Sequence, residues 1–515
     1  MLRRAVPLFA LAFATSHSAR VEHVPTAPPP VPREFRAAWA TPIWDRGFRD
    51  WPTDPNMTPD QQRAELRAML DNAAAARLNA IVLHVRLAGD ALYPTTYAPW
   101  SVYLTGKSGV GPSPAYDPLA YAVEEAHARG LQLHAWFNPF RAMLPNLAGK
   151  AAASHVTRKH PEWIRKYGSQ TWIDPGEPAA RKFVLETFLD VVKRYDVDGI
   201  HIDDYFYPYR ESRTVTRRVR GKRVRSRVDI PFPDDKTWRL YGRGKFDDRD
   251  AWRRDNINDF VETLYKNVKA IKPAMVVGIS PFGIWRPGNP PGITGLDAFG
   301  EIYADSRKWL REGWADYIAP QLYWEVGGTQ DRFRVLDDWW RTQNPFNRHI
   351  WPGLYTSHVY GGSDRWPMNE IALQVAQIRE ARAGSRDQPG HVHFRLGALF
   401  ADNNRLAMTL SSSYQEKAIV PAFPWLGATV PAAPVVTLVA ADGPASFTVA
   451  PGDSTKVRWW MIQTRGRDGA WSMTLRPAGE GRVGAAAFGT SDPDEIAVTA
   501  LSQTGVASAP TIVTP

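Results

Sequence analysis

Two carboxylates end stretches of alternating apolar and polar residues. Asp203 closes Gly199-Ile200-His201-Ile202-Asp203, and Glu325 closes Ile318-Ala319-Pro320-Gln321-Leu322-Tyr323-Trp324-Glu325. That period is the mark of a strand with one greasy and one polar face. An acid that protonates a leaving oxygen, facing a carboxylate that attacks the anomeric carbon or activates water, is the equipment for breaking a glycosidic bond. Arg86 is expected to keep Asp203 ionised as nucleophile or base, while Glu325, beside Tyr323 and Trp324, holds its proton through desolvation and serves as the acid. Each carboxylate also has a plainer role open to it, pairing with an arginine or capping a helix.

Such residues need a scaffold. Strand-like segments fall at 35–41, 80–86, 131–138, 198–205, 275–282, 317–325, 350–355 and 393–400, mostly separated by helix-like runs such as 118–129, which stops at Gly130, and 178–195. Eight strands with intervening helices predict an α/β fold, the (β/α)8 TIM barrel, whose active sites gather where the strands end. On the second strand Ile81, Leu83 and Val85 oppose His84 and Arg86; on the third Leu133, Ala135 and Phe137 oppose His134, Trp136 and Asn138. With the apolar faces turned to the helices, Arg86, Asn138, Asp203, Tyr323 and Glu325 converge at the mouth. Asp204 then sits in a loop behind Asp203, as a substrate-binding or supporting group, and Asp198 at the start of the strand. Trp136, Tyr207, Trp285 and Trp324 are expected sugar platforms, with packing between loops as their alternative. His84, His134 and His201 outline a metal triad but lie below the mouth, so they are expected to be hydrogen-bonded core histidines, with neither metal nor cofactor required.

Several long motifs resemble the glycosyl-hydrolase-like family 10 proteins: Asp198-Gly199-Ile200-His201-Ile202-Asp203-Asp204-Tyr205-Phe206-Tyr207-Pro208, Gly278-Ile279-Ser280-Pro281-Phe282-Gly283-Ile284-Trp285-Arg286, Ile318-Ala319-Pro320-Gln321-Leu322-Tyr323-Trp324, Trp172-Ile173-Asp174-Pro175-Gly176 and Trp252-Arg253-Arg254-Asp255-Asn256-Ile257-Asn258. The likeness runs from about residue 34 to about 425. It implies a barrel and an exported bacterial hydrolase, with glycan strands of peptidoglycan, notably strands stripped of stem peptides, as the implied substrate. The roles of Asp203 and Glu325 rest on the strand period instead.

The 515 residues, 44% hydrophobic and 12% aromatic, can bury one large and one smaller domain. No cysteine is present, which removes disulfides and thiolate metal sites. The net charge of +10 suits an anionic partner such as cell-wall polymer; nucleic acid is not expected for an exported barrel. Arg3 and Arg4, an apolar run over 5–13, and Ser16, Ser18 and Ala19 read as a secretory signal over 1–19, too short to span a membrane and with no cysteine for a lipid anchor. A periplasmic or secreted protein is expected, with no transmembrane segment once the signal is removed. The remaining plan is a linker at 20–33, the barrel at 34–428, a linker at 429–434, and a small all-β immunoglobulin/fibronectin III-like sandwich at 435–515. Within 212–230, an insertion relative to the family pattern, arginines alternate with Thr and Val about Gly221 and predict a basic β-hairpin, solvated or gripping an anionic polymer. A non-catalytic glycan-binding barrel is the rival class; two positioned carboxylates favour the enzyme, because a binder needs aromatics and no acid.

Overall fold

A computed structural model describes residues 26–147, 149–219, 222–439, 446–479, 481–483 and 493–514. The signal expected over 1–19 and the first part of the linker expected at 20–33 lie outside them.

Parallel strands form a ring in chain order: β1 (Phe35–Ala40), β2 (Ala80–Arg86), β3 (Gln132–Phe137), β4 (Gly199–Ile202), β5 (Val276–Ile279) and β6 (Tyr317–Ile318), each paired with the next. The next stretch, 349–354 or β7, is split by Trp351-Pro352. Its first piece, His349–Ile350, pairs with β6, and its second, Gly353–Leu354, pairs with β8 (Gly390–His393), which pairs with β1. The two pieces belong to one strand, so the sheet closes on itself as a TIM-barrel-like domain. Helices follow every strand, among them Pro59–Ala75, Pro118–Ala128, Pro178–Arg194 and Arg249–Ile271. Their starts are written locally. Thr58 and Gln61 make a reciprocal capping box before Pro59, and the Asp117 carboxylate accepts from the amides of Leu119 and Ala120 beside Pro118.

The predicted face split holds. Ile81, Leu83, Val85, Leu133, Ala135, Phe137, Ile200 and Ile202 join the helices in one core, while Trp39, Val82, Trp136, Val276, Tyr317 and Trp351 fill the barrel interior. Each fully buried Leu or Ile of that outer core contributes about 2 kcal/mol. The last strand is displaced from expectation: it ends at His393, and Leu396–Ser411 is helical apart from a kink at Ala401, Asp402, Asn403 and Asn404. The expected segment, 393–400, begins where the strand finishes, and its run Leu396-Gly397-Ala398-Leu399-Phe400 is the start of the helix rather than a buried strand.

Beyond the barrel, two antiparallel sheets stack about Phe447, Trp460, Ile462, Ile496 and Val498, one of three strands and one of four. They sit under the N-terminal ends of the barrel strands. Arg458 reaches Asp196 and Asp198, just ahead of β4, at 2.6 and 2.8 Å. Residues 26–33, expected as linker, run along these sheets: Gln463 donates to the Pro29 carbonyl at 2.8 Å and Arg33 to that of Gly505 at 2.9 Å. The basic insertion is a two-stranded hairpin, Ser212–Val219 with Lys222–Asp229. No helix among the described residues is long and apolar enough to cross a membrane.

Candidate active site

A cavity of about 500 Å³ opens at the C-terminal ends of the strands, lined by Trp39, Asp45, His84, Trp136, Asn138, Arg141, Asp203, Asp204, Tyr209, Ser280, Gln321, Tyr323 and Tyr355 among others. β4 delivers Asp203 and Asp204 together. Asp204 donates its amide to the Asp203 carboxyl at 2.8 Å, the two side chains share a hydrogen bond, and the Tyr209 hydroxyl donates to Asp204. Burial, then the neighbouring Asp204 charge, pushes Asp203 well above the usual carboxyl range. Asp204 is also raised by burial, but the hydrogen bonds from Asp203 and Tyr209 favour its ionised form. The pair therefore holds one proton, placed on Asp203 with Asp204 as the anion.

Arg141 opposes both shifts with its charge. It begins the short strand Arg141–Met143, which pairs with Gln170–Ile173, and its guanidinium lies 3.5 Å from the Tyr205 ring centroid. Across the mouth, the loop after β1 carries Trp44, 63% exposed, and Asp45. That loop is tied down by the buried Arg395, which donates to the Asp50 carboxylate at 2.8 Å and to the carbonyls of Ile43 and Thr41. Tyr323 and Tyr355 stack with centroids 4.6 Å apart and form an aromatic wall.

Five polar atoms on the lining are buried and find no hydrogen-bond partner among the described residues: Asp45 Oδ2, His84 Nε2, Trp136 Nε1, Asn138 Oδ1 and Ser280 Oγ. Buried polar groups are nearly always paired, so five on one cavity mark a surface built for a polar ligand or water. Of the three histidines expected as paired core residues, His84 departs: it lines the cavity, with Nδ1 bonded to Thr41 at 2.9 Å and Nε2 unpaired, while His134 and His201 deeper in the barrel are paired. Trp39 donates to His201 Nε2 at 3.1 Å, leaving His201 Nδ1 to donate to the Tyr317 hydroxyl at 2.9 Å; that hydroxyl donates to His134 Nδ1 at 3.0 Å. Burial pushes His134 down to about 4, and His84 and His201 well below their ordinary value, so all three are neutral. No metal-binding cluster occurs among the described residues.

Of the residues expected at the mouth, Asp203, Asp204, Asn138, Trp136 and Tyr323 come together. Arg86 does not reach Asp203: the β2–β3 register slips between His84 and Arg86, and the guanidinium is buried against the carbonyls of Asn138 and Pro139 at 2.7 and 3.1 Å. Arg141 takes that place. Glu325 lies past the cavity lining on the loop after β6, where its charge is felt by His358 and Glu370. β6 is only two residues long, so counting by twos beyond Pro320 does not carry as far as 325. Tyr207 packs edge-on against Phe232 and Tyr303, Trp285 hydrogen-bonds Asp305 at 3.1 Å beside Trp339, and Trp324 meets Phe282; these three are packing residues and line no part of the cavity. Asp45 and Tyr209 escaped the strand period because each lies in a loop, where no period exists. Arg141 sits on a short strand outside the barrel, and Tyr355 ends the expected strand 350–355 but was not assigned to the mouth.

The family pattern described as glycosyl hydrolase-like 10 matches residues 34–365. The chain is 37% identical over 419 residues to glycosyl hydrolase YngK of Bacillus subtilis (strain 168), covering 80% of this chain and 78% of that one. It is 35% identical over 311 residues to glycosyl hydrolase DigH of Escherichia coli (strain K12), covering 56% and 66% respectively. Among solved structures, the PgaB glycoside hydrolase domain from Bordetella bronchiseptica aligns at TM-score 0.45 and 15% identity, covering 73% of this chain and 98% of that one. Alpha-L-fucosidase isoenzyme 2 from Paenibacillus thiaminolyticus aligns at TM-score 0.44 and 14% identity, covering 75% and 50%.

Proposed function

Because the chain belongs to the glycosyl hydrolase-like 10 family, we propose that it is an exported glycoside hydrolase, acting in the periplasm or outside the cell on bacterial cell-wall glycan, peptidoglycan strands freed of stem peptides among them. The observation that carries the reading is the buried Asp203–Asp204 pair in an aromatic-walled cavity lined by unpaired polar atoms. Asp203, kept neutral, donates its proton to the glycosidic oxygen as the bond to the anomeric carbon breaks. Asp204 stays ionised and steadies the developing positive charge on the sugar, with Arg141 balancing the pair. Asp45 stands on the β1 loop, with β2 and β3 between it and β4, and has one buried carboxylate oxygen unpaired. It is the base that activates water or the nucleophile that attacks the anomeric carbon. Tyr323 and Tyr355 offer a ring face for a sugar. The C-terminal sheets are read as a fibronectin III-like module attached to this machine.

Purified peptidoglycan, intact and peptide-free, is the substrate for the test, with released fragments read by mass spectrometry. The unmutated chain should release sugar fragments, and Asp203→Asn should lose about 10²- to 10⁴-fold in kcat. No release from either substrate, or an Asp203→Asn chain as fast as the unmutated one, overturns the reading.

A further inference from the structure

The hairpin after β4 carries eight basic residues and one acidic, most of the chain's positive excess, and its register sorts them. Residues directly opposite each other in an antiparallel pair share a face. One face takes Arg213 with Val228, Val215 with Ser226, Arg217 with Val224, and Lys222 beyond them. The other takes Ser212 with Asp229 at the base, then Thr214 with Arg227, Thr216 with Arg225, and Arg218 with Arg223. Beyond that base pair this second face is exposed and presents four guanidiniums and two threonine hydroxyls with no apolar side chain. Arg223, Arg225 and Arg227 repeat roughly every 7 Å along one strand.

The one carboxylate on the face, Asp229, lies at its base. Arg227 donates to the Ser212 hydroxyl at 2.8 Å, but among the described residues none of the four makes an ion pair, while Arg210 at the base meets Asp229 and Glu301, each at 3.8 Å. Arg218 and Arg223 face each other directly, an arrangement that repels unless an anion lies between. The column also starts at the cavity. Tyr209, which lines it and holds Asp204, is three residues before Ser212, and the hairpin base is fixed by Glu211, whose amide donates to the Tyr167 hydroxyl at 3.0 Å and whose carboxylate accepts from Ser169.

We propose that the Thr214–Thr216–Arg218–Arg223–Arg225–Arg227 face is a rail for the carboxylates of an acidic polysaccharide whose neighbouring sugars occupy the cavity, a binding surface that rests on the glycosidase reading above. Guanidinium forks match carboxylates in bidentate geometry, and the threonine hydroxyls add donors beside them. Single-stranded nucleic acid fits poorly, because its rails interleave cations with aromatic platforms, and residues 212–229 contain no aromatic residue.

The test uses the full chain in an Asp203→Asn background, so that the probe survives, and measures binding at low salt to peptide-free glycan strands with free carboxylates. The same strands with those carboxylates amidated provide the neutral control. Replacing Arg223, Arg225 and Arg227 by Gln should weaken binding to the acidic strands roughly tenfold, from three exposed charge contacts, and leave binding to amidated strands unchanged. Replacing Arg213, Arg217 and Lys222 by Gln removes the same charge from the opposite face and should cost less than twofold. Equal losses from the two triple variants, equal losses on amidated strands, or tighter binding of a single-stranded oligonucleotide of matched charge would each overturn the rail. Cleavage by the unmutated chain is scored separately: selective binding without cleavage removes the glycosidase reading and keeps the rail, and cleavage without selective binding does the reverse.

Discussion

Replacing Arg141 by Met tests the proton bookkeeping of the site. Arg141 lies over Tyr205 and shares the cavity with Asp203 and Asp204, and its charge holds both carboxyls lower than burial alone would leave them. An opposite charge within about 4–6 Å moves a carboxyl by 1–3 units. Arg141 stands behind burial and the Asp204 charge among the influences on Asp203, so the lower end applies: about one unit, or about 1.4 kcal/mol. Methionine keeps an apolar cover on Tyr205 and removes the charge. If Asp203 must carry a proton to act, kcat/KM falls as pH rises through the upper apparent pKa of the pair, and losing the opposing cation raises that pKa. The alkaline limb of the pH–rate profile should therefore move up by about one unit in Arg141→Met, measured with one glycan substrate across pH 5–10. A uniform drop in rate with the limb in place would make Arg141 a substrate contact only. A limb that moved to lower pH would refute the assignment of Asp203 as the protonated member.

Asp45→Asn should cut kcat by about 10²-fold or more while KM changes little, since a base acts in the transition state and not in ground-state binding; steady-state kinetics on the same substrate check this, and near-normal kcat would place the base elsewhere. Arg458→Ala should cost about 2–3 kcal/mol in urea unfolding at pH 7, somewhat below a fully buried pair because the arginine is a fifth exposed. Against the cost of burial, Arg458 and His127 hold Asp198 well below the usual carboxylate range. That contribution is complete above the unfolded carboxyl value of about 4 and fades as pH falls towards the lower folded value, so the gap between the two chains should narrow at pH 3; a gap that widened there would refute the pairing.

Much of the barrel was legible because its strands carry their own period. Ile81, Leu83 and Val85 against His84, and Ile200 and Ile202 against His201 and Asp203, assign both faces without any tertiary knowledge. The same rule failed where its premise failed. A register slip after His84 turned Arg86 away, the two-residue β6 could not aim Glu325, and the eighth strand hid its inward side chain, Val392, between two histidines that bond Tyr414 on the far side. Asp45 and Arg141 were beyond reach for another reason. They are placed by an Arg395–Asp50 clamp and by a small antiparallel sheet, contacts between segments far apart in the chain.

The seating of the C-terminal sheets on the strand starts has a mechanical consequence. Arg458 is bolted to the residues that lead into β4, while Asp203 leaves the other end of that same strand. The module is thus a pedestal at the rear of the tool, and its contacts leave it little freedom to swing round and present a ligand to the mouth. Anything the pedestal stands on fixes the heading of the cavity, so that a chain moored by its C-terminal part would work facing away from its mooring.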